Sequence, residues 1–259
     1  MALELSVIAP CFNEEENIDP LVDRTLATFD RLAIPAELLV VDDGSSDATW
    51  KQISQRAKDD SRVVGVRHPV NLGIEGAWQS ALKQARGELV CLIDADLQNR
   101  PEDIARLYEA YRRNETADLI QGVRDPGEGM RRLLLYSRTL NFALNASFGM
   151  KRRDNKSGFI LCRREVMSDI LTHRYRYRYF QSFIGVSAGA RGYRTLEVET
   201  VFDRRTAGQS FLAYFPASVA LRILWELLKF RIESLGVSAG VPKRASAGAA
   251  RAASPPSES

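Results

Sequence analysis

The sequence contains little cysteine and little histidine. Its 259 residues include three cysteines, Cys11, Cys91 and Cys162, and two histidines, His68 and His173. Three scattered cysteines inside apolar runs exclude a disulfide framework and are typical of a protein from a reducing compartment. The scarcity of histidine disfavours a metal site built on imidazole ligands.

Several sequence signals are also missing. No apolar run reaches the roughly 18 residues that a membrane span needs, so none is predicted. The start, MALELSVIAP, lacks a charged segment followed by an apolar core, so no signal peptide is expected. The absence of G-x-G-x-x-G and G-x-x-x-x-G-K-[ST] excludes a dinucleotide fingerprint and a P-loop.

Charge is mild overall but uneven. The net charge of +3 does not mark a nucleic-acid binder, and we expect no nucleic-acid partner. Between Gly122 and Lys156, however, there are eight Arg or Lys and only three Asp or Glu. A local basic field of this kind favours an anionic ligand or a membrane surface.

Short apolar runs alternate with segments of helix length. The predicted strands are Leu5–Ala9, Leu38–Val41, Val63–Val66, Leu89–Ile93, Leu119–Val123 and, further along, Phe159–Cys162. The helices expected between the first five are Glu14–Leu32, Asp47–Lys58, Ile74–Ala85 and Pro101–Arg113. Apolar runs without polar alternation suit a parallel sheet covered on both faces. The order therefore predicts an α/β fold with a doubly wound, mostly parallel sheet flanked by helices.

Residues 211–235 predict an amphipathic helix. Five of its polar residues recur every three or four positions and form a narrow stripe; they are Ser218, Arg222, Glu226, Lys229 and Glu233. Arg231 breaks the pattern near the end of the helix. Such a helix either packs on the domain or lies in a membrane interface with Arg222 and Lys229 near the headgroups. From Gly236 onward, 18 of 24 residues are Gly, Ala, Ser or Pro, which predicts a flexible tail. We therefore expect the chain to divide into a folded domain at 1–212, an amphipathic helix at 213–235 and a flexible tail at 236–259.

Two carboxylates and an amide, Asp94, Asp96 and Gln98, follow the fourth predicted strand at alternate positions. If the strand continues briefly, all three side chains point to one side. Hard oxygen ligands suit Mg²⁺ or Mn²⁺, which also bind the phosphate oxygens of a substrate. Asp-x-Asp alone is explained equally well by an acidic turn before the helix at Pro101.

Polar clusters also follow the first two strands, at 13–16 and 42–45. In doubly wound sheets, ligands bind beyond the carboxyl ends of the strands. Carboxylates there can accept hydrogen bonds from a ribose diol and from a base edge. Taken alone, Glu14–Glu16 suits the first turn of a helix, and Gly44 with Ser45 suits a turn.

Four blocks in order carry a family resemblance: SVIAPCFNEEENI, LLVVDDGSSDAT, NLGIEGAWQSALKQARGELVCLIDADLQNRPEDI and NKSGFILCRREV. About residues 3–212 resemble family 2 glycosyltransferases of GT-A fold. The likeness is greatest to the polyprenyl-phosphate branch, which contains dolichyl-phosphate mannose synthase and undecaprenyl-phosphate sugar transferases. The resemblance implies a nucleotide-sugar donor, Mg²⁺ or Mn²⁺, and inverting transfer to a polyprenyl phosphate.

The resemblance also implies roles for individual residues. Around the nucleotide it places Pro10, Phe12, Glu14, Asp94 and one of Asp42 and Asp43, a choice that the sequence leaves open. Around the metal it places Asp94, Asp96 and Gln98. Near the diphosphate or the acceptor it places Arg124, Arg205, Ser210 and one of three arginines, Arg131, Arg132 or Arg138. The catalytic residues that it implies are Asp96, Arg124 and Arg205. Phe211 stands where the branch has Lys, so one phosphate contact is unmatched.

The acceptor is predicted from a missing general base. Transfer to a sugar hydroxyl needs a base, usually a carboxylate. Many family members carry one in the segment that corresponds to Tyr175–Gly185, which here has no Asp or Glu, and Gln181 cannot take a proton. A phosphate monoester is largely dianionic at neutral pH and needs cations instead of a base. The candidate cations for holding such a phosphate are Arg174, Arg176, Arg178 and Lys151–Arg153. The alternative is that these residues form a solvated loop face.

These inferences together predict a metal-dependent inverting glycosyltransferase held peripherally at the cytoplasmic face of a membrane. A membrane-protein partner or an oligomer is left open. The alternatives are the same fold acting on a soluble saccharide or a protein, and a non-catalytic nucleotide-sugar-binding module. A phosphatase of the haloacid-dehalogenase type is disfavoured. In that class Asp-x-Asp follows the first strand of the domain, whereas in this sequence it follows the fourth predicted strand.

Overall fold

The structure, a computed structural model, describes residues 2–124, 141, 144–146, 148–150, 152–155, 157–173, 177, 180–203 and 225–233. At Arg124, Ser182 and Phe183 it describes the backbone only. Several residues with predicted roles lie outside the described ranges; they are Arg131, Arg132, Arg138, Lys151, Arg174, Arg176, Arg178, Arg205, Ser210, Phe211, Ser218 and Arg222. Of the predicted amphipathic helix, only residues 225–233 are described. The tail from Gly236 onward also lies outside them.

The strands are β1 (Leu5–Cys11), β2 (Ala36–Asp42), β3 (Val63–Arg67), β4 (Leu89–Leu92), β5 (Leu119–Arg124), β6 (Ile160–Arg163) and β7 (Thr195–Thr200). The helices are α1 (Ile18–Leu32), α2 (Thr49–Asp59), α3 (Gly73–Leu82), α4 (Asp103–Arg113), α5 (Arg164–Ile170) and α6 (Ile184–Ala190). A 3₁₀ turn spans Phe180–Phe183, and residues 225–233 form a further helix. The six predicted strands and four predicted helices are confirmed with shifted ends.

The strands of the described residues form one seven-stranded sheet in the order β3-β2-β1-β4-β6-β5-β7. All its pairings are parallel except those of β6, which runs antiparallel to β4 and β5. The prediction of a mostly parallel, doubly wound sheet is confirmed. Because β2, β1 and β4 are adjacent and parallel, their carboxyl ends lie side by side on one rim. The strand order reverses direction between β1 and β4, which is where ligands bind in sheets of this kind.

Two apolar clusters cover the two faces of the sheet. One contains buried side chains of α1, α2 and α4, for example Phe29, Ile53 and Leu107. The other contains side chains of α3, α5 and α6, among them the fully buried Trp78. Burial on both faces explains why the central strands are continuous apolar runs in the sequence.

Strand β7 was not predicted, although its sequence TLEVET alternates with period 2. Leu196 and Val198 pack against the core, whereas Glu197 and Glu199 alternate with them. The alternation suits an edge strand with one covered face. Another prediction is wrong in detail, because α1 begins at Ile18 and Glu14–Glu16 precede it in a turn.

The 225–233 helix packs on the domain through an unexpected face. Phe230 is buried, with its ring centroid 5.8 Å from that of Tyr177. Glu233 accepts a hydrogen bond from Tyr177 Oη at 2.5 Å. Three apolar side chains face outward instead, since Trp225, Leu228 and Ile232 are 57%, 51% and 63% exposed. Within the described residues, no helix is long and apolar enough to cross a membrane.

Candidate active site

The loops that follow β1 and β2 are bonded to each other on the rim. The backbone N–H of Asn13 donates to Ser45 Oγ at 2.9 Å, and Asn13 Oδ1 accepts from the N–H of Ser46 at 2.9 Å. The N–H of Glu14 donates to Thr49 Oγ1 at 2.9 Å. Asn13 has a positive φ of 54°, a conformation that asparagine tolerates better than most residues. These bonds make the two loops one surface.

Phe12 and Glu14 occupy different settings on this surface. The Phe12 side chain is 47% exposed, so its ring is available to pack on a ligand. Glu14 turns back toward α1, where its Oε2 accepts from Asn17 Nδ2 at 2.5 Å. Pro10 lies within β1 in register with Val41, one residue pair before Cys11 and Asp42.

Asp43 is a structural carboxylate. It is buried, and its Oδ1 lies 2.7 Å from His68 Nδ1 and accepts from the N–H of Leu72 at 2.9 Å. Its Oδ2 accepts from the N–H of Gly73 at 2.8 Å, at the start of α3. An anion that accepts N–H bonds at a helix start stabilises that end. His68 Nε2 in turn lies 2.9 Å from Ser80 Oγ, so Asp43 ties β2 to β3 and α3.

Asp42 keeps an oxygen that forms an ion pair with Arg67 but accepts no hydrogen bond within the described residues. Its side chain is fully buried, and Oδ1 accepts from the N–H of Ser45 at 2.9 Å. Oδ2 lies 3.4 Å from Nε of Arg67, yet it makes no hydrogen bond within the described residues. A buried carboxylate oxygen without a donor is costly unless a ligand supplies one. Of the two aspartates, Asp42 is therefore the one with bonding capacity for a ligand.

Gly44 fixes the loop that stands over this position. It has a φ of +79°, and a Cβ added there would lie 2.8 Å from the backbone N of Asn71 and from the backbone C of Val70. Only glycine allows both this conformation and this approach. The D-D-G pattern thus brings the β3–α3 connection down onto the carboxyl end of β2.

Cys11 lies beside these carboxylates but is not a nucleophile candidate. Burial, followed by the charge of Asp42, raises the pKa of the Cys11 thiol well above its usual value. Its Sγ–H donates to the carbonyl oxygen of Val41 at 3.1 Å. The thiol therefore stays protonated and acts as a small packing residue.

After β4, the chain forms a turn rather than an extended strand. β4 ends at Leu92, Leu97 has a positive φ of 59°, and the N–H of Gln98 donates to Asp96 Oδ1 at 3.1 Å. The strand therefore does not continue, and the condition under which all three side chains point to one side is not met. Half-buried and buried residues still alternate, so that Asp94, Asp96 and Gln98 are half-buried while the residues between them are buried.

A residue far away in the sequence contacts this turn. Gln181 Nε2 donates to Asp94 Oδ1 at 3.1 Å and lies 3.3 Å from Asp94 Oδ2. The segment around Gln181 was singled out for its lack of a carboxylate, but its contact with Asp94 was not predicted. No local sequence signal indicates this pairing.

The segment after β7 is also fastened to the turn. The N–H of Asp203 donates to the carbonyl oxygen of Gln98 at 2.8 Å, and Arg100 forms a bidentate ion pair with the Asp203 carboxylate at 2.6 and 2.8 Å. This pairing lowers the pKa of Asp203. The chain thus reaches the Asp94–Gln98 turn two residues before Arg205, which lies outside the described residues.

The donor set on this rim fits a cation shared with a substrate. No group of three or more His, Cys, Asp or Glu side chains suitable for a metal occurs within the described ranges. Mg²⁺ often needs only one or two carboxylates, because waters and substrate phosphates complete its octahedron. Asp94 and Asp96 supply two carboxylates, and Gln98 can add an amide oxygen. The backbone of Arg124 ends β5, beside Thr200 of β7.

Comparison with known proteins agrees with this architecture. The model of the family "Glycosyl transferase family 2" matches residues 6–171, more than half of the chain. The chain belongs to glycosyl transferase family 2. The matched residues include the ends of β1, β2 and β4 that carry the rim carboxylates.

Two similar family 2 proteins carry the same description. The undecaprenyl-phosphate 4-deoxy-4-formamido-L-arabinose transferase of Pectobacterium atrosepticum is 30% identical over 225 residues, which are 86% of this chain and 66% of that protein. The transferase of that name from Pseudomonas aeruginosa is 31% identical over 225 residues, 86% of this chain and 64% of that protein. The chain thus spans slightly less than two thirds of the length of these relatives.

Two solved structures share the fold. Glucosyl-3-phosphoglycerate synthase from Mycobacterium tuberculosis, in complex with Mg²⁺ and UDP, has a TM-score of 0.64 at 22% identity and covers 86% of this chain and 79% of its own. A mannosyltransferase from Pyrobaculum calidifontis, in complex with GDP-Man and Mn²⁺, has a TM-score of 0.62 at 18% identity and covers 92% and 65%.

The different settings of the two adjacent aspartates predict different mutational effects. Asp43→Ala removes the acceptor for His68, Leu72 and Gly73, so we expect the free energy of unfolding to fall by about 3 kcal/mol. Asp42→Asn keeps an acceptor for the N–H of Ser45 and loses the ion pair with the half-exposed Arg67, so it should lower the free energy of unfolding by only about 1 kcal/mol. Urea titration followed by circular dichroism measures both. Equal losses of stability would contradict the assignment of Asp43 as the structural member.

Proposed function

We propose that this family 2 protein is a metal-dependent, inverting glycosyltransferase that moves a sugar from a nucleotide-sugar to a polyprenyl phosphate. The observation that carries the proposal is the rim turn in which Asp94 and Asp96 stand together and Asp94 meets an amide, Gln181, rather than a carboxylate. The two carboxylates suit a cation and a diphosphate. An amide cannot act as a general base, and an acceptor phosphate that is already ionised does not need one.

The donor is proposed to lie across the carboxyl ends of β2, β1 and β4. Neighbouring strands are about 4.8 Å apart, so the ends of β2 and β4 are separated by about 10 Å, which suits a nucleoside linked to a diphosphate. In this arrangement, Phe12 packs on the nucleoside and Asp42 Oδ2 accepts from its base or ribose. Pro10 and Glu14 border the same part of the rim, and Asp43 supports it through the β3–α3 loop.

Asp94, Asp96 and Gln98 are proposed to hold Mg²⁺ or Mn²⁺. A bound cation supplies neutralisation of the charge that develops on the departing diphosphate. Solved relatives of the same fold contain Mg²⁺ with UDP or Mn²⁺ with GDP-Man, which supports this part of the proposal. Arg124, at the end of β5, and Arg205 are proposed to add positive charge to the same leaving group.

The transfer itself is a single displacement. A phosphate oxygen of the lipid attacks the anomeric carbon, the bond from that carbon to the diphosphate oxygen breaks, and the configuration of the sugar inverts. A phosphate that is dianionic near neutral pH has no proton that must be removed before it attacks. The reaction therefore needs no general base at the position of Gln181. Arg131, Arg138 and Ser210 remain the proposed contacts of the acceptor phosphate.

The 225–233 helix supports a lipid acceptor. Trp225, Leu228 and Ile232 form one outward apolar face, and Lys229 lies with its Nζ 5.5 Å from the Trp225 ring centroid. Apolar side chains bordered by cations are typical of helices that lie in the interface of an anionic membrane. The curated relatives are named for transfer to undecaprenyl phosphate, a membrane lipid, which supports the same acceptor class.

Product partitioning tests the reaction. Purified protein is incubated with Mn²⁺ or Mg²⁺, undecaprenyl or dolichyl phosphate and labelled UDP-, GDP-, CDP- and dTDP-sugars. We expect label to enter the organic phase with at least one donor, and Asp96→Asn to lower that rate by about a hundredfold or more. Label that remains water-soluble with every donor while a saccharide acceptor is glycosylated would show that the acceptor assignment is wrong.

Co-sedimentation with anionic liposomes tests the membrane contact. Ile232→Glu places a charge on the outward face of the 225–233 helix and should weaken binding by roughly ten- to a hundredfold, since burying one large aliphatic side chain stabilises by roughly 1.5–3 kcal/mol. Gln84→Glu is the matched control, because it changes the net charge equally at an exposed position elsewhere. Equal sedimentation of both variants and the parent would contradict a membrane role for this face.

A further inference from the structure

The contact between Gln181 and Asp94 involves the part of the carboxylate that chelates cations. Gln181 Nε2 lies at nearly equal distances, 3.1 and 3.3 Å, from the two carboxylate oxygens of Asp94. An N–H group so placed fills the side of the carboxylate that lies between its two oxygens. A hydrogen-bond donor there compensates the negative charge of a half-buried carboxylate.

A cation and this amide exclude each other on that side of Asp94. Mg²⁺ binds oxygen at about 2.1 Å, so a cation held between the two oxygens would lie less than about 2 Å from the amide nitrogen. That separation is shorter than any non-bonded contact, and the N–H hydrogens carry partial positive charge. Asp94 can therefore serve the cation in this way only when the Gln181 side chain turns aside.

The backbone of Gln181 is held in place, so only its side chain can move away. The preceding residue, Phe180, is fully buried, and its ring centroid lies 4.3 Å from that of His173. Helix α6 begins three residues after Gln181, at Ile184, which is also fully buried. Gly158 lies beside the amide and has no side chain there; a Cβ at this position would lie 3.4 Å from Gln181 Nε2. Rotation about the side-chain torsions of Gln181 would move its amide off Asp94 without displacing the backbone.

We infer that Gln181 competes with the divalent cation for Asp94 and thereby keeps the affinity for the free cation low. This inference rests on the proposed metal site and adds a residue that sets its affinity. A nucleotide diphosphate brings its own oxygen ligands to the cation, which shifts the competition in favour of the metal. Gln181 thus couples retention of the cation to the presence of the donor.

Mn²⁺ titration without nucleotide, followed by the electron paramagnetic resonance signal of the free ion, tests the competition independently of activity. Gln181→Met removes the donor at nearly constant volume and should tighten Mn²⁺ binding by about tenfold, the effect expected for losing one hydrogen bond to a charged group. Gln181→Asn, which shortens the side chain by one methylene, should shift the affinity in the same direction.

Gln79→Met is the matched control. Gln79 Nε2 donates to the Glu75 carboxylate at 3.1 Å and to the carbonyl oxygen of Leu171 at 3.0 Å, away from the rim turn. Its substitution should leave Mn²⁺ affinity unchanged. Unchanged or weaker binding by Gln181→Met, or equal tightening by Gln79→Met, would overturn the inference.

Asp96→Asn separates this failure from failure of the proposed function. If the parent binds Mn²⁺, Asp96→Asn loses it and Gln181→Met is no tighter, the metal site stands and the competition is wrong. If Asp96→Asn binds Mn²⁺ as well as the parent does, or if no variant binds it, then the proposed metal site and the competition are both wrong.

Discussion

The reversal of strand order between β1 and β4 is the constraint on which the site depends. Since β2 lies on one side of β1 and β4 on the other, the loops after these three parallel strands emerge on a common rim. The burial of the sheet on both faces keeps the strands rigid beneath them. The carboxylates of the rim are thus held by the sheet, and in sheets of this topology ligands bind where neighbouring connections diverge to opposite faces.

The adjacent residues Asp42 and Asp43 have different roles because different groups surround their carboxylates. Asp43 uses both carboxylate oxygens to hold the β3–α3 connection, whereas Asp42 retains an oxygen without a hydrogen bond from the described residues. After β4, the carboxylate of Asp94 is matched by the Gln181 amide. The rim therefore combines the fixed supporting bonds of Asp43 with a side-chain hydrogen bond on Asp94, which is the bond that we infer a cation replaces.

Much of the sheet and the location of the rim could be predicted from sequence, because buried parallel strands are continuous apolar runs that end in polar clusters. β7 escaped prediction because its core-facing residues alternate with Glu197 and Glu199 and leave no apolar run. The choice between Asp42 and Asp43 depends on contacts made by the β3–α3 loop. Gln181 meets Asp94 across 87 residues of chain, and such a pairing has no local signature.

The central claim is that the rim binds a nucleotide-sugar together with a divalent cation, and a thermal-shift screen tests it most directly. The parent protein and Asp96→Asn are heated with UDP-, GDP-, CDP- and dTDP-sugars, with and without Mn²⁺, because ligand binding raises apparent stability. The account predicts that at least one nucleotide raises the Tm of the parent only when Mn²⁺ is present and does not raise that of Asp96→Asn. A nucleotide shift that is independent of Mn²⁺ and persists in Asp96→Asn would contradict it.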